Sequence, residues 1–437
     1  MIENLILIFA YHFPPENTVG ADRPVRFSKY LSRMGYTCRV FTAADQTGRD
    51  NTNVEYIPDP FLTQPSRGLG WQVERAVRKF FLPSEVGLRW SYLASRAASS
   101  YARAHLGARV TIFSTFPPLG TLLAGWQLAR SEGFPWIVDF RDPISEKRFR
   151  NGTNLQKRIY PWLERAVARK ADALIANTDA AKSGLLQRFP EFAGKIHSIW
   201  NGFDPEERIL PLPVAAGDRR ILTHTGELYD GRRVTPILES ISRLIASGRL
   251  SSQRIRVRLI GSTSEGMLPD VEFLRRAHAE GWLDLITERI PRREALHAAQ
   301  SSDSLLLLQP QSATQVPGKL FEYLQIGRPI LAFVQRNSPA ERLLERSGVP
   351  YRCIYPGDSP EAIDETIAGF FDLPSTAVLA SPWFDERFNV EHQAHQLDEI
   401  VRSLHKEPIR EKNPFPQRPA AQKASRFTNT QKVENRP

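Results

Sequence analysis

Short apolar runs alternate with longer amphipathic segments along most of the chain. In the first half, runs at 5–10, 38–42, 54–57, 110–114, 136–139, 173–177 and 196–199 read as strands. Most are continuous rather than alternating, the pattern of strands covered on both faces. Helical periodicity fills 22–34, 86–105, 119–131, 154–170 and 179–188, and Gly35 follows the first helix as a left-handed terminator. A polar, proline-bearing stretch at 204–217 interrupts the series, which then resumes. Strands are predicted at 221–225, 256–260, 304–308 and 330–334, and helices at 235–247, 271–280, 293–300, 318–326, 339–347 and 360–371. Two successive β/α series predict an α/β protein of two doubly wound, Rossmann-like domains facing a central cleft. A last helix, about 385–404, is expected to strap one domain to the other.

Composition narrows the class. With 437 residues, 41% apolar and 10% aromatic, the chain can bury more than one core, which excludes global disorder. Mean hydropathy is −0.36, and no apolar run approaches the ~20 residues of a membrane span. The opening apolar run reads as a strand rather than a signal peptide. Cys38 and Cys353 are far apart, so neither a disulfide framework nor a thiolate zinc site is expected, and a cytoplasmic setting fits. Phosphate-loop, HExxH, GxSxG, GxGxxG and DxD patterns are absent, and no metal site is expected.

The net charge of +10 is unevenly placed. From Lys406 onward, eight basic residues face three acidic ones, so this Pro- and Gln-rich tail carries half the excess and reads as disordered. It is either a solvated element or a contact for anionic lipid. The helix at 154–170 sets Lys157, Arg158, Arg165 and Arg169 opposite an apolar face, and WQVERAVRKFFLP at 71–83 mixes cations with aromatics. Each is an ordinary surface segment or lies on a membrane beside a lipid-linked acceptor.

QVPGKLFEYLQIGRP at 315–329 is the most informative segment. It reads as a helix with Pro317 and Gly318 at its start, Gly327 at its end and a Leu320, Phe321, Leu324 core stripe. Lys319 in the first turn opposes the helix dipole, a conflict that a docked anion relieves. Gly318 lets that anion approach the backbone. The alternative is an i,i+3 ion pair between Lys319 and Glu322. This segment, with the strand after it, resembles the donor-site helix of glycosyltransferase family 4, a family of GT-B fold. The resemblance implies that Glu322 binds the ribose hydroxyls of a nucleotide sugar. The family's earlier glutamate, which contacts the transferred sugar, is Thr314 here.

Other segments extend the resemblance over about residues 1–405. AYHFPPENTVGADRPVRFSKYLSRMGY is similar to the family's first strand, loop and helix, which puts Gly20 beside the diphosphate and acceptor. Read locally, Gly20 belongs to an ordinary strand-to-helix turn with Asp22 as cap. Arg23 faces an anionic acceptor or phosphate, or is a solvated surface arginine. THTGELYDGRRVTPILESI resembles the stretch that meets the leaving diphosphate: Gly226 matches its glycine, Arg232 stands for its lysine, and Glu227 replaces its arginine, with Arg233 or Lys319 able to compensate. In PWIVDFRDPI, Asp139, Arg141 and Asp142 lie past a buried strand, where doubly wound folds bind ligands. Asp142 or Arg141 orients the acceptor as a candidate catalytic residue, or Asp139, Arg141 and Asp142 form an ion network that fixes the loop. The DFRDP form resembles a subgroup acting in surface-polysaccharide assembly. Ile290 is placed where the backbone meets the nucleotide base.

The resemblance implies a retaining, metal-independent glycosyltransferase with no cofactor beyond its nucleotide diphosphate sugar, and a saccharide or lipid-linked acceptor. It sets 1–205 as the acceptor-side domain, 206–385 as the nucleotide-sugar domain, 386–405 as the crossover helix and 406–437 as the tail. Two other readings stand beside it: a nucleotide-sugar epimerase of GT-B-like fold, and a non-enzymatic basic protein binding membrane or nucleic acid. No nucleic-acid-binding motif supports the last.

Overall fold

A computed structural model describes residues 2–15, 19–43, 52–60, 72, 87–145, 154–213, 219–229 and 231–406. The basic tail beyond Lys406 and the 71–83 stretch, Gln72 excepted, lie outside the described residues. In the first lobe, β1 (Asn4–Phe9), β2 (Thr37–Thr42), β3 (Val54–Tyr56), β4 (Arg109–Phe116), β5 (Trp136–Phe140), β6 (Ala173–Ala176) and β7 (Ile196–Ser198) form a parallel sheet in the order β3-β2-β1-β4-β5-β6-β7. Its inner strands are almost wholly buried, as their continuous apolar sequences require. Helix α1 (Val19–Arg33) covers one face. The other carries α2 (Leu88–Ala104), α3 (Leu119–Glu132), α4 (Asn154–Lys170) and α5 (Asp179–Arg188), packed through Trp90, Leu122, Tyr160 and Leu185.

The second lobe repeats the plan with β8 (Arg220–Thr225), β9 (Ile255–Ile260), β10 (Leu283–Ile286), β11 (Ser304–Gln309), β12 (Ile330–Val334) and β13 (Tyr351–Ile354), parallel in the order β10-β9-β8-β11-β12-β13. One face holds α6 (Thr235–Ala246), α7 (Val271–Ala279) and α11 (Pro360–Phe371). The other holds α8 (Arg292–Gln300), α9 (Gly318–Ile326), α10 (Pro339–Ser347) and α12 (Pro382–Arg387). Strands β10 and β13 were not foreseen in sequence. Both are short edge strands whose polar or half-exposed residues, as in LDLI and YRCI, dilute the apolar run.

The single terminal helix expected at 385–404 is two: α12 packs on the second lobe, and α13 (Val390–Lys406) crosses back to the first. There Val390, Ala394, Leu397 and Val401 join the core beside α1, and Tyr36 donates to Asp398. The break falls at Phe388 and Asn389, where the returning chain runs against the outgoing linker. Phe203 N–H donates to Phe388 O (3.0 Å), Val390 N–H to Phe203 O (3.1 Å), and Gln393 Nε2 to Asn201 O (3.1 Å). Both crossings between lobes are thus hydrogen-bonded into one hinge. Gly202 permits the approach, since a Cβ there would lie 2.0 Å from Phe388 O. No helix among the described residues is long and apolar enough to cross a membrane.

Substituting Gly202→Ala should force these crossings apart and lower stability by about 1–3 kcal/mol, the usual cost of overpacking. Urea unfolding that matches the unsubstituted chain would show the hinge to be loose.

Candidate active site

The cleft-facing ends of the strands gather the polar groups. In the second lobe, β8 ends at Thr225 and turns through Gly226, whose φ of +121° disfavours any side chain. A Cβ at Gly226 would sit 2.3 Å from Lys319 Nζ. The Lys319 ammonium instead donates to the Thr225 carbonyl. Helix α9 begins at Gly318 with Pro317 as N-cap, no side-chain cap and no acid in its first turn. Its N-terminal N–H groups and the lysine therefore present positive charge together. Buried Leu320, Phe321 and Leu324 fix its inner face, and Tyr323 accepts from Thr225 N–H (3.2 Å), tying the helix to the end of β8.

Arg232 stands beside Lys319. Its Nη2 donates to Gln309 Oε1 (3.2 Å), its guanidinium lies 4.5 Å from the Tyr229 ring centroid, and its buried Nε has no partner among the described residues. Burial, then repulsion from Arg232, pushes the Lys319 ammonium down to about 7, with Glu322 opposing. Behind them, His224 is fully buried at the end of β8 and hydrogen-bonds to Leu306 O through Nδ1 (2.9 Å). Burial and the Lys319 charge hold this imidazole well below its ordinary pKa, so it stays neutral. Arg233 and Glu227 are exposed.

Glu322 does not pair with Lys319 in the way the i,i+3 alternative required. Its carboxylate accepts from Arg292 at the start of α8 (2.6 Å), and Arg292 also reaches Asp22 of α1 (3.5 Å) across the cleft. Asp22 lies inside the first turn of α1 rather than capping it, because the helix already begins at Val19. Ile290 is half-buried two residues before α8. Sequence reading missed Arg292, whose only signal was its place at a helix start.

On the first lobe, Arg23 corrects its expected role. Only 6% exposed, it holds Asp139 by a bidentate pair (2.8 and 2.9 Å) and donates to the carbonyls of Ile199 and Trp200 (both 2.8 Å). This guanidinium fastens α1 and β5 to the start of the linker and leaves no face toward an acceptor. The expected Asp139–Arg141–Asp142 network is also replaced: Asp139 pairs with Arg23 and accepts from Thr115. Arg141 donates to the carbonyls of Gly20 (2.9 Å) and Pro117 (2.6 Å), pinning the Gly20 loop to the β4 end, and a Cβ at Gly20 would meet its Nη1 at 2.9 Å. Asp142 accepts from Gln315 Nε2 of the opposite lobe, and Thr178 Oγ1 donates to the carbonyl of Thr314. The loop before α9 is thus held against the first lobe at both residues.

This pair of parallel-sheet lobes about a cleft is the GT-B architecture of glycosyltransferases. Sucrose-phosphate synthase from Thermosynechococcus elongatus superposes with a TM-score of 0.66 at 15% identity, over 92% of this chain and 99% of that one. Anabaena HepE in complex with UDP-glucose does so with a TM-score of 0.58 at 16% identity, over 91% and 99%. The profile of Glycosyltransferase Family 4 matches residues 25–207. The D-inositol 3-phosphate glycosyltransferase of Gordonia bronchialis is 24% identical over 213 residues, 47% of this chain. That match spans 46% of the relative, less than half its length. The family profile falls on the first lobe and the GT-B frame extends over both lobes, so the chain is similar to glycosyltransferase family 4 in its first lobe and shares the GT-B fold throughout.

Removing Arg23 leaves Asp139 as a buried, unneutralised carboxylate. The Arg23→Ala variant should lose about 3–5 kcal/mol in denaturant unfolding, the cost of breaking a buried pair. A loss within surface-mutation range would mean that Asp139 finds another partner.

Proposed function

We propose that this protein transfers a sugar from a nucleotide diphosphate sugar to a hydroxyl on a saccharide or lipid-linked acceptor, with retention at the anomeric carbon and without a metal. The observation that carries the reading is the pairing of Lys319 and Arg232 beside Gly226 at the uncapped start of α9. Two neighbouring cations with no ion pair among the described residues repel each other until a dianion arrives. A diphosphate supplies that charge and takes hydrogen bonds from the α9 N-terminus. Glu322 lies one turn further along the helix and would exchange Arg292 for the ribose hydroxyls.

In the reaction the bond from the anomeric carbon to the diphosphate oxygen breaks, and one from that carbon to the acceptor oxygen forms. Negative charge grows on the departing diphosphate, where Lys319, Arg232 and the helix dipole stabilise it in a cleft shielded from water. The acceptor proton passes to the leaving phosphate oxygen, so no protein base is required. Asp142 and Gln315, joined across the cleft, border the acceptor side, with Arg141 shaping the Gly20 loop behind them. The solved relative bound to UDP-glucose supports the donor class. A role in surface-polysaccharide assembly at the cytoplasmic face rests on the DFRDP resemblance.

Turnover of a panel of nucleotide sugars with lipid-extract acceptors tests the reading. The Lys319→Ala variant should lose about 10²–10³ in kcat, as when one transition-state donor is removed; near-normal transfer refutes the assigned role. A changed sugar appearing without acceptor would indicate epimerisation instead.

Glu322→Gln should raise the donor KM about ten- to a hundredfold, the worth of hydrogen bonds to a charged group, while kcat changes less. An unchanged donor KM would remove Glu322 from the ribose contact.

Donor affinity should also report the Lys319 proton. Free, the ammonium loses its charge near pH 7; bound to diphosphate, its pKa rises, so the complex keeps a proton that the free protein has shed. Affinity is therefore flat below pH ~7 and weakens above it, by at most about tenfold per pH unit. Calorimetric titration of a nucleotide sugar should show this slope, and Lys319→Met should abolish it.

A further inference from the structure

The helix-covered face of the first sheet carries a second feature. Helices α2, α3 and α4 lie side by side there, their inner residues sharing one core. Their outer surfaces expose Arg89, Arg96 and Arg103 on α2, Arg130 on α3, and Lys157, Arg158, Arg165, Arg169 and Lys170 on α4. No carboxylate on these helices is exposed: Glu164 is buried under Arg188, and Glu132 is half-buried beneath Ser99 and Arg103. Arg165 has a neighbour in Glu191 of the following segment.

Large apolar side chains stand among these cations. Trp162 is 69% exposed, Tyr92 56%, Leu93 39% and Leu155 38%. Tyr92, Arg96 and Arg103 also edge a recess of about 550 Å³ between α2 and α3, lined by Ser95, Ser99 and Glu132. An indole, a phenol ring and aliphatic side chains thus stand exposed on this charged surface. They suit the boundary between lipid headgroups and acyl chains, where aromatic rings with a polar edge are at home.

We infer that this α2–α3–α4 face docks on an anionic phospholipid bilayer, with Trp162, Leu155, Tyr92 and Leu93 entering the headgroup layer and the surrounding Lys and Arg residues meeting lipid phosphates. Charge complementarity selects the partner: each cation held near such a surface gains roughly fivefold in partitioning. Nucleic acid would meet the same charge but has no use for the exposed leucines. Topology supplies the functional sense. Helices α2 and α4 both start at the cleft-facing strand ends, so Tyr92 and Trp162 lie only about 6 and 12 Å along their helices from the cleft side. Docking would present the cleft to an acceptor carried by lipid, which deepens the proposed function, but the binding itself is read without donor or acceptor.

Sedimentation of the full chain with phosphatidylcholine vesicles, with and without phosphatidylglycerol, tests this. Binding is expected only with the anionic lipid and should weaken as salt rises. The Lys157→Glu/Arg158→Glu double variant should lose at least tenfold in affinity and Trp162→Ala severalfold, while Trp162→Phe retains most of it. Circular dichroism and transfer to a water-soluble acceptor should be unchanged in all three, which separates failure of this inference from failure of the enzymatic one. Deleting the residues after Lys406 should leave most of the binding in place. The inference is overturned if the face variants bind like the parent, if tail deletion abolishes binding, or if single-stranded RNA outcompetes the vesicles.

Discussion

The second lobe holds two basic side chains, Lys319 and Arg232, side by side at its cleft edge, and each disfavours the charge on the other. Lys319 and Arg232 meet where β8 ends and α9 begins, and their repulsion adds to the dipole of an uncapped helix. The arrangement persists because the lysine stem is packed over Gly226, its ammonium donates to the Thr225 carbonyl, and the arginine leans on Tyr229 and Gln309. A fold that only needed stability would place a carboxylate between them. Among the described residues no carboxylate pairs with either cation, and under the proposed function a docked diphosphate would supply the missing negative charge.

The first lobe shows the opposite treatment of charge. Arg23 and Asp139 are buried and fully engaged with each other and with the carbonyls at the start of the linker. Arg141 spends its donors on the carbonyls of Gly20 and Pro117. These arginines hold loops at the strand ends in place, and the hinge at Gly202 and Phe388 fixes the sites where the chain passes between lobes. Pinned loops on one side and unpaired cations on the other among the described residues suit the charged donor of the proposed function.

The sequence revealed the repeating β/α alternation and the α9 segment because both rest on local signals: buried apolar runs, and a helix bounded by Pro317 and Gly327. What it hid depends on contacts between residues distant in sequence. Arg23 looked like a surface cation in a first helical turn, yet its partner lies 116 positions away. Strand β13, at a sheet edge, has too little burial to write a pattern. The terminal helix read as continuous because nothing local marks Phe388 as a crossing point; only its burial against Phe384 and Phe203 does so.

Arg292 links carboxylates of both lobes through one guanidinium. It belongs to the second lobe, neutralises the carboxylate of Glu322 there, and reaches Asp22 on the first helix of the other lobe. Both carboxylates are partly exposed, so each pair is worth little by itself. Their effect lies in linkage. If Glu322 meets a ribose as proposed, the guanidinium would be left to Asp22 alone, trading the contact within the lobe for the one between lobes. Under the proposed function, donor binding and the contact between lobes would then favour each other through one side chain.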